Sequence, residues 1–251
     1  MIRVRLMQIA LMVGGVAALE VLCRMGVINS FTMIPPSQMV VALAKLPVTA
    51  PWFWPDVSYT LINIGSAVAI SVVGGFLIGL AVHALPRLRS VANPIFTSYY
   101  AVPTFILYPL LIVFFGIGPL SLIVMGALFG IVAMIVATIG AIDRIPLVLL
   151  NVARVSRLGP MQTALLMKLP AAAPHLMTGL RLAVAYSIIG IIAGEFILAT
   201  AGIGRRVALA YNSFDNPTMY ALLVLILCFA AGLNGLLGAL EQAVHRRWYR
   251  A

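Results

Sequence analysis

Arg181 and Glu195 stand fourteen residues apart inside one apolar run, about four helical turns, so both fall on one face together with Ile188. Charges within such a run are costly in lipid, and they mark either a wet pathway or side chains that snorkel toward the two membrane surfaces. A helical rise of about 21 Å keeps the two from pairing within their own helix. A second group, Tyr99, Tyr100, Thr104 and Tyr108, makes a polar-aromatic stripe that either lines a path for a solute or belongs to an interfacial tyrosine belt. Asn63 and Ser66 share a face of another run and suit interhelical hydrogen bonds. His83, His175 and His245 fall at or beyond the ends of apolar runs and suggest no metal site. Cys23 and Cys228 read as small hydrophobes. The chain has no glycine loop followed by Lys and Ser or Thr, so it is not expected to bind ATP itself. No nucleophile and base, and no paired acids, are spaced for an intramembrane enzyme.

The elements that position these residues follow from composition. Only 9% of the 251 residues are charged and 63% are hydrophobic, against roughly 25% charged in an ordinary soluble domain. Such a chain cannot cover a soluble exterior, so its surface must face lipid. Its net charge of +10 does not point to nucleic acid, because the basic residues sit in short clusters between apolar runs, as in Arg87 with Arg89 and Arg246 with Arg247. Six runs meet the roughly 20-residue requirement of a bilayer core: Leu6 to Ile28, Tyr59 to His83, Ile95 to Phe115, Ser121 to Ile142, Leu176 to Ala199 and Met219 to Leu240. Gly116 to Pro119 makes the third and fourth an antiparallel hairpin, and Gly75 with Gly79 forms a small-xxx-small packing pair. The first run, although preceded by Arg3 and Arg5, shows no clear small-x-small cleavage site and is read as a retained helix.

Lys and Arg set the orientation. With the amino terminus inside, Arg3, Arg5, Arg87, Arg89, Arg144, Arg154, Arg157, Lys168, Arg246, Arg247 and Arg250 are cytoplasmic, whereas Arg24, Lys45, Arg205 and Arg206 are outside. This excess predicts both termini in the cytoplasm. Arg205 and Arg206 run against the rule and are assigned to an ordered outer segment. The outer connection, about 29–58, carries Pro35, Pro36, Pro47, Pro51 and Pro55 with Trp52 and Trp54, and reads as an interfacial segment with aromatic anchors. The inner connection, about 143–170, is amphipathic and too polar to span. There Gly159 followed by Pro160 supplies a helix stop and a helix start, which predicts short helices over about Leu147 to Leu158 and Pro160 to Met167.

That loop also carries a pattern: Asn151-Val152-Ala153-Arg154, then Leu169-Pro170 through Ala171-Ala172-Ala173-Pro174-His175 to Thr178-Gly179-Leu180-Arg181-Leu182-Ala183. It resembles the cytoplasmic EAA loop of the permease subunits of binding-protein-dependent importers, especially the nitrate, sulfonate and taurine group. Further stretches in the same order are similar to that group: Ile34 to Val40, Ala101-Val102-Pro103 through Pro109 to Phe115-Gly116-Ile117-Gly118, and Ala193-Gly194-Glu195 with Gly202-Ile203-Gly204. Two departures fall within the motif. Asn151 stands where the family usually has Glu, and Arg157 where it usually has Gly.

The resemblance implies an all-α, type I ABC importer permease fold in which residues 1–251 form a single transmembrane domain with a cytoplasmic pair of coupling helices. The implied role is that of a non-catalytic permease in the bacterial inner membrane. It would pair with a second copy of itself, two ATPase subunits that bind the ATP and Mg, and a binding protein that delivers a small polar or anionic solute. Asn151, Val152, Ala153, Arg154, Arg157, Leu158, Gly159 and Pro160 would then meet the ATPase. Tyr99, Tyr100, Thr104, Tyr108, Arg181 and Glu195 are the pathway candidates. The competing class is a secondary transporter or channel working without ATP. It would be expected to show several intramembrane acids or internal repeats, but the chain offers Glu195 as its deep acid and no convincing repeat.

Overall fold

The computed structural model describes residues 2–29, 31–99 and 102–248; Tyr100 and Arg250 lie outside the described residues. Among these, five helices are long and apolar enough to cross a membrane, and a shorter apolar helical stretch covers Thr104–Phe115. No strand occurs among the described residues. The described residues divide into two compact units, residues 1–59 with 201–229 and residues 60–200 with 230–251.

The first unit contains α1 (Ile2–Arg24), α2 (Pro36–Thr49), the start of α3 (Phe53–Ala84), α10 (Ile203–Asn212) and the first part of α11 (Asn216–Trp248). α3 therefore begins six residues before the expected Tyr59. Pro55 falls in its first turn, where a missing N–H breaks no helical bond. Leu46, Phe53, Ile203, Val207, Ala221 and Leu222 form this unit's buried cluster. Two carboxylates cap helices other than their own. Glu20 of α1 accepts from the Ser37 amide at 3.0 Å and the Ser37 hydroxyl at 2.7 Å, in the first turn of α2. Asp56 of α3 accepts from the Gly202 amide at 3.1 Å, at the amino end of α10. Exposed amide donors and the positive end of the helix dipole favour a carboxylate at both places.

The second unit contains the rest of α3, α4 (Pro86–Tyr99), a 3-10 turn (Thr104–Leu107), α5 (Tyr108–Phe115), α6 (Pro119–Asp143), α7 (Leu147–Val155), α8 (Pro160–Thr163), α9 (Leu169–Leu198) and the end of α11. α6 is its central helix: 61% of its most apolar window is buried, whereas for α1 of the first unit the figure is 0%. Gly75 and Gly79 of α3 pack against α6. A Cβ at either would lie 2.7 Å from the neighbour, meeting the Ile131 carbonyl and Met134 Cβ at Gly75 and Thr138 Cβ at Gly79. In lipid, where helices gain little from hydrophobicity alone, such close backbone approach supplies the packing energy.

Two expected elements differ. The run Ile95 to Phe115 is not one helix: α4 stops at Tyr99, and helical structure resumes at Thr104 after Pro103. Pro103 has no N–H to give and disfavours helical geometry in the residue before it. The second short helix, expected over Pro160 to Met167, passes instead through a π-helical turn (Ala164–Lys168) directly into α9, so that Met161–Leu198 is one continuous span. Pro170 would clash with the carbonyl four residues back in a regular helix, and the wider π turn in front of it accommodates the ring.

Candidate functional site

α7 is built to present one face and bury the other. Leu149, Leu150 and Ala153 lie inward: Ala153 is 2% exposed, and the two leucines pack on the cluster of Ala141, Ile145 and Ala172, contributed by the end of α6, the turn after it and the start of α9. Leu147, Val148, Val152 and Val155 are exposed, with Val155 at 85%. Asn151 and Arg154 stand on the same open side, joined by a long 3.4 Å contact from the Arg154 guanidinium to the Asn151 carbonyl oxygen.

The helix closes in a Schellman turn. The Leu158 amide donates to the Ala153 carbonyl at 3.0 Å and the Arg157 amide to the Arg154 carbonyl at 3.0 Å, with Arg157 at φ 52°. Position 157 thus adopts the left-handed conformation that glycine takes without strain, and the side chain present costs about 1 kcal/mol there. The Gln162 side chain accepts from the Gly159 amide at 3.1 Å, tying the start of α8 back to the turn.

Charge is unevenly distributed around this loop. Asp143, at the end of α6, accepts from Arg89 through both oxygens at 2.9 and 2.5 Å, and His83 lies 3.4 Å away. The carboxylate beside it raises the Arg89 guanidinium above its ordinary value. From Arg144 to Gly194 there is no Asp or Glu at all. Arg144, Arg154, Arg157 and Lys168 are exposed, and none has an ion-pair partner among the described residues.

The polar residues of the spans are drawn into internal contacts. Arg181 donates to the Asn234 side-chain oxygen at 3.2 and 3.0 Å and to Glu241 at 2.6 Å, and Thr178 donates to the same carboxylate at 2.7 Å. Arg181 is therefore held by α11. Glu195 is fully buried and accepts from the Thr60 hydroxyl at 2.9 Å. Tyr99 donates to the Leu128 carbonyl at 2.8 Å, Thr104 donates to the Val102 carbonyl at 3.3 Å, and Tyr108 is fully buried. The expected interhelical bonding of Asn63 and Ser66 is carried by Thr60 and by Ser71, which meets Ser187 and the Ala127 carbonyl at 3.1 Å each. Buried Asn63 leaves its amide nitrogen without a partner among the described residues.

Sequence reasoning missed Glu241, Asn234 and Asp56 as partners. Asn234 and Glu241 are seven apart, two turns of one helix face, which was the available signal. Among the described residues no group of three or more His, Cys, Asp and Glu gathers to hold a metal.

Among known proteins, the family described as "Binding-protein-dependent transport system inner membrane component" matches residues 71–248. A probable ABC transporter permease protein of Haemophilus influenzae (strain ATCC 51907 / DSM 11121 / KW20 / Rd) is 28% identical over 240 residues, covering 94% of this chain and 97% of its own length. The taurine transport system permease protein TauC of Escherichia coli (strain K12) is 27% identical over 247 residues, covering 94% of this chain and 88% of its own. In fold, the chain is similar to the inward-facing MetNI methionine ABC transporter, with a TM-score of 0.68 at 20% identity over 78% of this chain and 99% of that one.

Proposed function

The chain belongs to the family of binding-protein-dependent transport system inner membrane components, the permease subunits of ABC importers, and from that premise we propose how it couples ATP hydrolysis to transport. As a multi-pass permease with the type I importer fold, it needs a motor from outside. Two copies enclose the path, and the 143–170 loop of each docks on an ATPase subunit that binds the ATP and Mg. A soluble binding protein delivers the solute on the opposite side. The assembly sits in the bacterial inner membrane with both termini on the ATPase side, and residues 1–251 act as one permease domain.

The observation that supports this reading is the anchoring of α7. Its inward residues Leu149, Leu150 and Ala153 sit on Ala141, Ile145 and Ala172, so the short helix is packed against the ends of α6 and α9. A push on its open face therefore reaches two spans directly. ATP-driven closure of the two ATPase subunits draws the loops together and exchanges an inward-open for an outward-open state, which requires the loop to make different contacts in the two. Tyr99, Thr104, Tyr108, Arg181 and Glu195 are the residues whose contacts this exchange rearranges along the path. The solute is small and polar or anionic; the taurine named for one relative is consistent with that class.

The test is biochemical. The purified chain alone is expected to show no ATPase activity, and a photo-crosslinker at Val155 is expected to capture the ATPase subunit. Ala153→Glu and Gly159→Glu should reduce co-purification of that subunit. Hydrolysis by the lone chain, or undiminished assembly in both variants, overturns the reading.

A further inference from the structure

We infer that the surface receiving the 147–168 loop is an apolar groove with an acidic rim, carrying carboxylates opposite Arg154 and Arg157. The inference rests on the docking role proposed above and goes further, to the chemistry of the partner.

The open side of the loop combines two properties. Leu147, Val148, Val152 and Val155 are exposed together on α7. Exposed apolar surface of this kind on a helix marks a binding face. Arg144, Arg154, Arg157 and Lys168 are exposed in the same loop, and residues 144–168 contain no acid that could neutralise them. The carboxylate next in sequence, Asp143, is engaged at both oxygens by Arg89. Asn151 offers Arg154 only a neutral oxygen at 3.4 Å. Two backbone hydrogen bonds fix Arg157 in its left-handed turn, so its side chain leaves the surface from a defined point. Exposed cations on the same loop as exposed apolar residues, with no ion-pair partner among the described residues, steer and orient a partner of opposite sign.

The experiment measures binding of the ATPase subunit to the full permease in nanodiscs at low and high salt. Reversing both charges, Arg154→Glu with Arg157→Glu, is expected to weaken binding about 100-fold at low salt and to remove most of its salt dependence. Arg157→Gly deletes one charge while keeping the turn, and should weaken binding about threefold. Arg157→Lys should bind nearly as the parent. Lys45→Glu, the same change of charge outside the loop, should have no effect. The Val155 crosslink separates the two levels of the argument. A crosslink that forms with binding unchanged by the reversals retains the docking and overturns the acidic rim; absence of the crosslink overturns both. Nanodiscs with and without phosphatidylglycerol supply the remaining outcome. If the reversals alter only retention of that anionic lipid and not ATPase binding, the cations face the membrane and the inference is overturned.

Discussion

Two helices of this protein end in the same turn, and the turns have opposite surroundings. After α7, Arg157 stands at φ 52°; after α10, Phe214 stands at φ 57°. Both are closed by the paired bonds of a Schellman motif, Leu158 to Ala153 and Arg157 to Arg154 in one, Asp215 to Ala210 and Phe214 to Tyr211 in the other. Phe214 stacks on Phe31 at 5.6 Å, beside Tyr220, whose hydroxyl donates to the Thr32 carbonyl at 2.8 Å. In the same unit Arg206 is bonded to Asp56 and lies over the Trp52 ring at 4.7 Å. Arg157 has no ring and no carboxylate among the described residues. A strained turn compensated by its own unit is a structural joint, whereas the open one is the turn proposed above to meet a partner.

The sharpest way to break this contrast is to open the self-compensated region. Asp56→Ala leaves Arg206 without its carboxylate and the Gly202 amide without its acceptor. About a third of Arg206 remains solvent-exposed, so the expected loss is about 2–3 kcal/mol rather than the full cost of an orphaned buried charge. Thermal unfolding of the detergent-solubilised chain checks it, and Asp56→Asn, which can still accept from Gly202, should recover part of the loss. A stability equal to the parent's would mean that this unit does not depend on its internal ion pair.

A smaller effect is expected at Ala153, the most buried described residue of α7. Ala153→Leu adds three carbons to a position that is 2% exposed against the ends of α6 and α9, which costs about 1–3 kcal/mol through displacement of α7. Increased proteolysis within 155–160 is the readout. Val152→Asp, on the open face, should leave stability within about 0.5 kcal/mol while still reducing co-purification of the ATPase subunit. The pair separates the side of α7 that holds the fold from the side proposed to meet the partner.

What could be read in advance divides along similar lines. Gly75 with Gly79, the Gly159-Pro160 punctuation and the apolar runs are local signals, and the structure carries the glycine pair, the helix start at Pro160 and five of the six runs as spans. The break before Thr104 was also local, signalled by Pro103, but continuous hydrophobicity outweighed a single proline. The partners of Arg181 and Arg206 were not legible, because Glu241 and Asp56 lie 60 and 150 residues away in sequence. Pairing across such separations is settled only by how the helices pack. Arg206, expected to run against the charge rule, is paired with a folded carboxylate, Asp56. The unusual residue at 157 was visible through the resemblance to the importer loop, but its left-handed backbone was not.

That backbone supplies the smallest and most discriminating comparison, a glycine at each turn. Arg157→Gly relieves the left-handed strain and removes no packing contact, so it should stabilise the chain by about 1 kcal/mol. Phe214→Gly relieves the same strain but deletes the ring pair with Phe31, worth about 0.5–1.5 kcal/mol, so its net change should stay within about 0.5 kcal/mol. The sign of the difference carries the argument, and it is read as two melting midpoints under one condition. Equal gains would show that the Phe31 stack does not hold the second turn. A loss at Arg157 would show that its guanidinium already has a stabilising role inside the isolated chain, and the open turn would then be as self-sufficient as the closed one.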